Sequence, residues 1–327
     1  MRGIRAILAG AIVCAAGAAN AQSLVEELAW AYAITPGPAP AAPPDDGTRH
    51  SLPGSTAQFT LDQIRNRMGP ADWYPGDHPT MPPIVAVGRE AAGIWACSLC
   101  HYPNGKGRPE NASVVGLPKD YFIRQMYDFK HGLRQSADPR KPNTPLMTGF
   151  AAAMTDEEIR AAADYFSAIP WTPWIEVVET DTVPKTRIAG GMHLKLEGAE
   201  AGTEPLGNRI VESPLDAERT ELLRDPRSGF LAYVPKGSVA RGETLAHRGR
   251  EGVAACTVCH GEDLDGLAIV PSLRGRSPSY IARQLADMKA GVRRGEWTPL
   301  MMPVVAPLTA EDILNLSAYL ASLPPTP

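Results

Sequence analysis

The residues best suited to chemistry in this 327-residue chain are four cysteines in two matching motifs. Each motif reads C-x-x-C-H, and the members are Cys97, Cys100 and His101 in the first copy and Cys256, Cys259 and His260 in the second. Paired thiols at this spacing support dithiol redox exchange, zinc binding or thioether attachment of a haem. Two local disulfides are a further alternative in an exported chain.

The histidine after each cysteine pair favours haem attachment. Two thiols three residues apart on one helical turn reach the two vinyl groups of one porphyrin, and the next residue points its imidazole at the iron. A redox dithiol has no need of that histidine, and a zinc site would have to be assembled from both motifs. We therefore predict two covalently bound c-type haems, with His101 and His260 as proximal iron ligands.

An internal repeat follows the motifs. Tyr121 and Tyr280 each lie 20 residues after the haem histidine, and each begins the pattern Tyr-x-x-Arg-Gln with apolar residues at helical spacing. Both copies continue with Lys-x-Gly-x-Arg, and a last helix is expected to begin at a capping box, at Thr155 and at Thr309. The sequence predicts two small helical domains of roughly 90 residues each.

Each repeat also carries a Pro-Leu-Met triplet that could supply the sixth iron ligand. A methionine–histidine pair is typical of electron-transfer haems and raises their reduction potential. Met147 and Met301 are the aligned methionines, and we expect each to lie in a loop that aims it at the iron. Met302 is the rival of Met301 but does not align with Met147. Three further methionines are expected to be core residues: Met126, Met154 and Met288.

Groups around each haem can also be anticipated. The carbonyl of Pro271 is placed to support the second nitrogen of His260, whereas Ala112 stands at the aligned position of the first copy and leaves that support in doubt. Candidates for hydrogen bonds to haem propionates, with ordinary helix-surface residues as the alternative, are Tyr121, Arg124, Tyr280 and Arg283.

With these motifs, the chain resembles the tandem two-haem class I cytochromes c of the bacterial periplasm, the c-four group. The resemblance covers roughly residues 86–170 and 240–325 and rests on the two C-x-x-C-H motifs, the tyrosine helix, the Pro-Leu-Met triplet and the last helix. It implies a mostly α fold with two class I cytochrome c haem domains. It also implies single-electron transfer between redox proteins, as the cytochrome subunit of a dehydrogenase or as a shuttle to a terminal oxidase.

The ends of the repeats divide the chain into five segments. They are a signal peptide (1–21), an N-terminal extension (22–80), haem domain 1 (81–170), an inter-domain insert (171–238) and haem domain 2 (239–327). Arg2 and Arg5 precede an apolar run, and we expect cleavage after Ala21 and export to the periplasm, which also removes Cys14. No later stretch is expected to span a membrane. A formal net charge of −4 gives no sign of nucleic-acid binding.

Two segments depart from the family pattern. In the extension, Pro36–Pro44 suggests a flexible tether and Asp72–Pro75 a packed anchor. The insert is expected to be irregular with short strands, and it puts a close arrangement of the two haems in doubt. The residues that indicate those strands are Val177, Val178, Ile188, Leu194 and Leu196.

A two-haem peroxidase is the alternative to an electron carrier, and it would need one open iron with acid–base groups beside it. A methionine in register in both repeats argues against it, so we expect no enzymatic activity.

Charge suggests a further hypothesis, that the two haem edges face differently charged partners. Lys106 and Arg108 follow the first motif, whereas Glu262, Asp263 and Asp265 follow the second.

Overall fold

The computed structural model describes residues 23–38 and 41–326. The predicted signal peptide at 1–21, with Cys14, lies outside these residues, as do Ala39 and Pro40 of the predicted tether. No helix within the described ranges combines the length and the apolar character needed to cross a membrane.

The first haem domain consists of short helices around the first motif. The extension contributes α1 (Ala29–Tyr32) and α2 (Leu61–Ile64), and the domain itself contains α3 (Pro83–Ala86), a 3₁₀ turn (Glu90–Ala92), α4 (Cys97–His101), α5 (Lys119–Lys130), α6 (Asn143–Ala153) and α7 (Asp156–Ser167). The capping box predicted at Thr155 is confirmed, because its hydroxyl accepts from the Glu158 N–H at 3.2 Å while Glu158 accepts from the Thr155 N–H at 2.9 Å.

The insert carries the strands. They are β1 (Ile175–Glu179), β2 (Thr182–Pro184), β3 (Thr186–Ala189), β4 (Met192–Lys195), β5 (Thr203–Pro205), β6 (Val211–Pro214) and β7 (Phe230–Val234), with a 3₁₀ turn (Gly198–Glu200) and a π turn (Glu218–Leu222). β7 lies between β1, which is parallel to it, and β6, which is antiparallel. The insert also contains two separate antiparallel pairs, β2–β5 and β3–β4. The predicted strand residues lie in β1, β3 and β4, except Leu196, which follows β4.

The second haem domain is more regular than the first. Its helices are α8 (Ser238–Arg248), α9 (Thr257–His260), α10 (Pro278–Lys289), α11 (Thr298–Val305) and α12 (Ala310–Ser322). α8 crosses α12 at Gly242, where an added Cβ would lie 2.0 Å from the Asn315 carbonyl oxygen. The crossing therefore requires a residue with no side chain. The predicted capping box at Thr309 is also confirmed.

The predicted loops around the two methionines are wrong. Met147 lies in α6 and Met301 in α11. Pro145 and Pro299 fall in the first turns of these helices, where a missing N–H leaves no helical hydrogen bond unmade. A proline at this position starts a helix as readily as it marks a loop, which explains the error.

The N-terminal extension is packed at two places. Leu28, Trp30 and Tyr32 are buried in the hydrophobic core of the second domain. The predicted anchor is confirmed, since Trp73 and Tyr74 are 1% and 4% exposed in a small core that includes Leu223 of the insert. The extension therefore touches both the insert and the second domain.

Candidate haem sites

The two C-x-x-C-H motifs begin short helices in equivalent positions. Cys97 starts α4, and Cys256 is the residue before α9. The four cysteines of the described residues are free thiols, so the local disulfide alternative is not realised. Burial raises the pKa of Cys97 to about 12 and that of Cys256 to about 11. Dithiol exchange needs a thiolate, so these environments disfavour it. Within the described residues, no group of three or more His, Cys, Asp or Glu side chains is arranged to hold a metal ion, which disfavours zinc.

Both motif histidines are held by a backbone carbonyl eleven residues later. His101 Nδ1 lies 2.9 Å from the Ala112 carbonyl oxygen, and His260 Nδ1 lies 2.9 Å from that of Pro271. The first copy therefore has the same support for its histidine as the second, because the acceptor is a backbone carbonyl, which alanine supplies as well as proline. A proton on Nδ1 leaves Nε2 as the ligating nitrogen.

Burial also keeps these imidazoles in the form that a metal needs. Desolvation lowers the pKa of both His101 and His260, and the bond to the carbonyl only partly opposes it. The neutral imidazole is the ligand form of histidine. Both sites therefore present an oriented, uncharged nitrogen donor.

A cavity beside the first motif has the lining that a haem requires. Cys97, Cys100, His101 and Met147 all line it. Its apolar walls come from α5, α6 and α7 and include Phe122, Met126, Phe129, Phe150 and Phe166. Thiols, an imidazole and a thioether on the wall of one apolar cavity fit a covalently attached porphyrin with two axial ligands.

The methionines differ in burial, but two of the buried ones, Met126 and Met154, line the first cavity together with Met147. Met147 is half-buried on the cavity wall, and Met301 is half-buried against the core of the second domain. Met302 has a similar exposure but does not join that core. The three remaining methionines are core residues: Met126, Met154 and Met288.

The four propionate candidates do not behave alike. Tyr121, Tyr280 and Arg283 line the first cavity. Arg124 instead forms an exposed ion pair with Glu296, as the surface alternative anticipated. Arg283, which belongs to the second domain, donates to the Pro109 carbonyl in the first domain at 2.6 Å. The first cavity is thus closed in part by the second domain.

The structure also contains a symmetric cluster between the domains, which was not predicted from the sequence. Arg134 donates to Gln125 of its own domain at 2.9 Å and to Gln284 across the interface at 2.9 Å. Arg293 mirrors it, donating to Gln284 at 3.0 Å and to Gln125 at 2.8 Å. We call these four residues the arginine–glutamine cluster.

Tyrosines and backbone extend the same symmetry. Arg134 reaches the Tyr280 hydroxyl at 3.0 Å, and Arg293 reaches the Tyr121 hydroxyl at 2.8 Å. The Gln135 N–H donates to the Val292 carbonyl at 3.0 Å. The repeated Tyr-x-x-Arg-Gln and Lys-x-Gly-x-Arg patterns were the available signal, because equivalent residues in both copies can pair about a pseudo-twofold axis. The insert does not keep the two domains apart.

The charges after the first motif are engaged within the chain. Arg108 forms a salt bridge with Glu110 at 2.5 Å, with both side chains largely buried. The Lys106 ammonium donates to the Pro173 carbonyl at 3.3 Å, and burial lowers its pKa to about 8. The basic half of the charge hypothesis is therefore wrong. After the second motif, Glu262, Asp263 and Asp265 are all exposed, and Asp265 also pairs with Arg274 at 3.2 Å.

The insert covers the first motif. The Arg224 guanidinium donates to the Leu99 carbonyl inside the motif, and the Tyr102 hydroxyl donates to the Thr220 carbonyl at 3.4 Å. Asn104 donates to the Pro226 carbonyl at 2.8 Å. We call residues 218–228 the cover segment. Leu99 is 8% exposed as a result.

The anchor of the N-terminal extension holds the cover segment in place. Trp73 Nε1 donates to the Leu223 carbonyl at 2.8 Å. Arg227 forms two bonds to Asp77, at 2.6 and 2.7 Å, and stacks 3.7 Å above the Tyr74 ring. Two segments outside the repeats therefore cooperate to close one face of domain 1.

Comparisons with known proteins identify the family of the two repeats. The family model for cytochrome c matches residues 86–169 and 239–324, over half of the chain. Cytochrome c4 of Pseudomonas aeruginosa is 25% identical over 73% of this chain and 88% of its own length. A thiosulfate dehydrogenase electron acceptor of Stutzerimonas stutzeri is 32% identical over 73% of this chain and 84% of its own length. The solved structure of thiosulfate dehydrogenase TsdBA from Marichromatium purpuratum aligns with a TM-score of 0.48 at 25% identity, covering 72% of this chain and 38% of that one.

Proposed function

This chain belongs to the cytochrome c family as a two-haem, cytochrome c4-like member, and we propose that it carries single electrons between redox proteins in the periplasm. Its two cytochrome c domains carry two covalently bound c-type haems. When bound, each haem supplies a one-electron iron couple. The observation that carries the proposal is the first cavity, whose wall holds the thiols, the imidazole and a methionine together.

We assign a role to each motif residue. Cys97, Cys100, Cys256 and Cys259 form the thioether bonds, His101 and His260 are the proximal ligands, and Met147 and Met301 are the distal ligands. The carbonyls of Ala112 and Pro271 fix the imidazoles so that Nε2 faces the iron. The apolar walls exclude water, and a methionine ligand in each domain raises the reduction potential.

The contents of the first cavity favour transfer over peroxidase chemistry. A peroxidase needs a free carboxylate or imidazole beside an open iron. Of the carboxylates that line the cavity, Asp287 accepts from Tyr32 and from the Ala137 N–H, and Glu110 pairs with Arg108 through Oε1 while its buried Oε2 has no hydrogen-bond partner. The cavity wall also carries the thioether of Met147, the distal ligand expected of an electron-transfer haem.

The name of one relative supports a more specific role. That relative is described as an electron acceptor of a thiosulfate dehydrogenase. We propose that a periplasmic dehydrogenase is the electron donor of this chain as well, with a terminal oxidase or another cytochrome as acceptor. The predicted signal peptide at 1–21 supports the compartment.

Optical spectroscopy of the oxidised holoprotein, with haem quantified per chain, tests the proposal. We expect two low-spin haems, both contributing to the near-infrared band of methionine-ligated ferric haem. Met147→Ala and Met301→Ala should each remove about half of that band, and Met302→Ala should leave it intact. A high-spin haem in the unmodified protein, together with turnover of hydrogen peroxide, would instead establish the peroxidase.

A further inference from the structure

The faces of the two motifs differ sharply in exposure. Leu99 and Val258 occupy the same position in the two motifs, yet they are 8% and 75% exposed. Cys259 is exposed, whereas its counterpart Cys100 is half-buried. The cover segment accounts for the difference, because it lies on the first motif and the insert has no second copy to lie on the other.

Exposed apolar residues are concentrated in the segments that hold the second haem. Among the described residues, the three large apolar side chains with the greatest exposure are Val258 at 75%, Leu300 at 72% and Leu267 at 64%. Val258 lies inside the motif, Leu267 lies in the loop between His260 and Pro271, and Leu300 precedes Met301. Exposed apolar side chains near a functional group are typical of an interaction site.

Charge indicates what kind of partner fits this face. Glu262 and Asp263 are exposed beside the second motif and add two negative charges to its rim. The cover on domain 1 shows which groups the equivalent face accepts, since Arg224 places its guanidinium on the Leu99 carbonyl and over the Tyr102 ring. A partner that presents lysine or arginine around an apolar centre would repeat that contact on domain 2.

We propose that external redox proteins dock on the second motif face alone, and that the docking partner is a protein with a basic rim around an apolar contact. The face consists of the exposed residues of the motif and of the loop that follows it, Val258, Glu262, Asp263 and Leu267. The cover segment and its anchor close the equivalent face of domain 1. Domain 1 then exchanges its electron through domain 2, across the interface that the arginine–glutamine cluster holds together. The proposal rests on the electron-transfer function and adds the route of entry.

The first experiment measures electron exchange between the reduced holoprotein and a lysine-rich cupredoxin by stopped flow. One electron leaves this chain and reduces Cu(II) to Cu(I), and no bond or proton changes. Neutralisation with Glu262→Gln and Asp263→Asn should lower the second-order rate constant at low salt by roughly three- to tenfold and flatten its salt dependence. The matched control is Glu197→Gln with Glu200→Gln, which removes two exposed charges from the insert and should change little.

A second variant tests the apolar centre. Val258→Gln should lower the rate constant, whereas Leu215→Gln, at an insert position 54% exposed, should not. Equal losses in the control variants would show a general charge or surface effect and would overturn the proposal. Unchanged rates in both motif-face variants would overturn it as well.

Hydrogen–deuterium exchange in the complex supplies a readout that does not depend on turnover. Amides of residues 256–270 should gain protection when the cupredoxin binds, and those of residues 97–108 should not. Protection of 97–108 would contradict the closed face. The electron-transfer function is checked separately with ascorbate and ferricyanide, since a chain whose haems fail to cycle with these small reagents would disprove the carrier function and not merely the docking face.

Discussion

Domain 1 and domain 2 share one set of sequence motifs but differ in their surroundings. In domain 1 the motif face is buried under the cover segment, and the helix before the motif is the short α3. In domain 2 the motif face is exposed, and the long α8 packs tightly on α12. The difference arises from segments outside the repeats, so two equivalent motifs acquire different access to solvent.

The largest effect is expected from removing the anchor of the cover. Trp73→Ala takes a fully buried side chain out of the small core and leaves the Leu223 carbonyl without its donor. We expect a loss of about 3–5 kcal/mol in the free energy of unfolding of this region, measured by chemical denaturation. Trp297→Ala is the control, because Trp297 is 37% exposed and its loss should cost far less. Equal losses would mean that the anchor does not hold the cover.

The contact between the insert and domain 2 should depend on pH. Glu212 in β6 accepts from the Ser277 hydroxyl at 2.6 Å, and burial raises its pKa from 4.5 to about 7. Between these values the folded state retains a proton that the unfolded chain has lost, so the free energy of unfolding falls as pH rises, by roughly 3 kcal/mol in all.

Glu212→Gln removes the titrating group and should abolish that fall between pH 4.5 and pH 7. Thermal unfolding followed across this range measures it, with the exposed Glu176→Gln as the control that should keep the wild-type slope. A wild-type slope in Glu212→Gln would show that another group is responsible.

The helix crossing in domain 2 can be compared with an unobstructed helical glycine in domain 1. Gly242→Ala should destabilise domain 2 by about 1–3 kcal/mol, because the new methyl collides with the Asn315 carbonyl. Gly149→Ala in α6 meets nothing within 4 Å and should stabilise its helix by about 0.5–1 kcal/mol. Chemical denaturation measures both, and opposite signs are expected. A neutral Gly242→Ala would show that the helices can separate without loss.

The smallest effect tests where the domains are alike. Tyr121→Phe and Tyr280→Phe each remove one hydrogen bond to an arginine across the interface, at 2.8 and 3.0 Å. Each should cost about 0.5–1.5 kcal/mol, and the two costs should agree because the contacts are mirrored. Equilibrium unfolding of the two variants makes the comparison. A large difference between the two losses in free energy of unfolding would show that the mirrored contacts do not contribute equally to stability.

The motifs and repeats predicted most of what lies inside each domain. Ligand spacing, capping boxes and helical periodicity are local signals, so α5, α7, α10 and α12 could be anticipated from the sequence. The error at Met147 was also local, because a proline in a first helical turn resembles a loop signal. The support of His101 could not be judged from side-chain identity, since the Ala112 carbonyl supplies it.

What lies between the domains had weaker signals. Lys106 donates to the carbonyl of Pro173, more than sixty residues later, whereas Arg108 pairs locally with Glu110. Charge alone predicts an exposed basic patch at these positions. The contact between Arg224 and Leu99 joins residues 125 positions apart, and no repeat marks it. Such contacts come from the packing of the insert and the extension, which the repeat comparison leaves unaligned.

The difference in access between the two haems can be measured directly by paramagnetic NMR of the reduced holoprotein with a neutral gadolinium chelate in solution. The structure predicts strong relaxation of haem-substituent protons in domain 2 and weak relaxation in domain 1. Trp73→Ala should raise the relaxation in domain 1 towards that in domain 2. Equal relaxation of the two haems in the unmodified protein would contradict a closed first motif face.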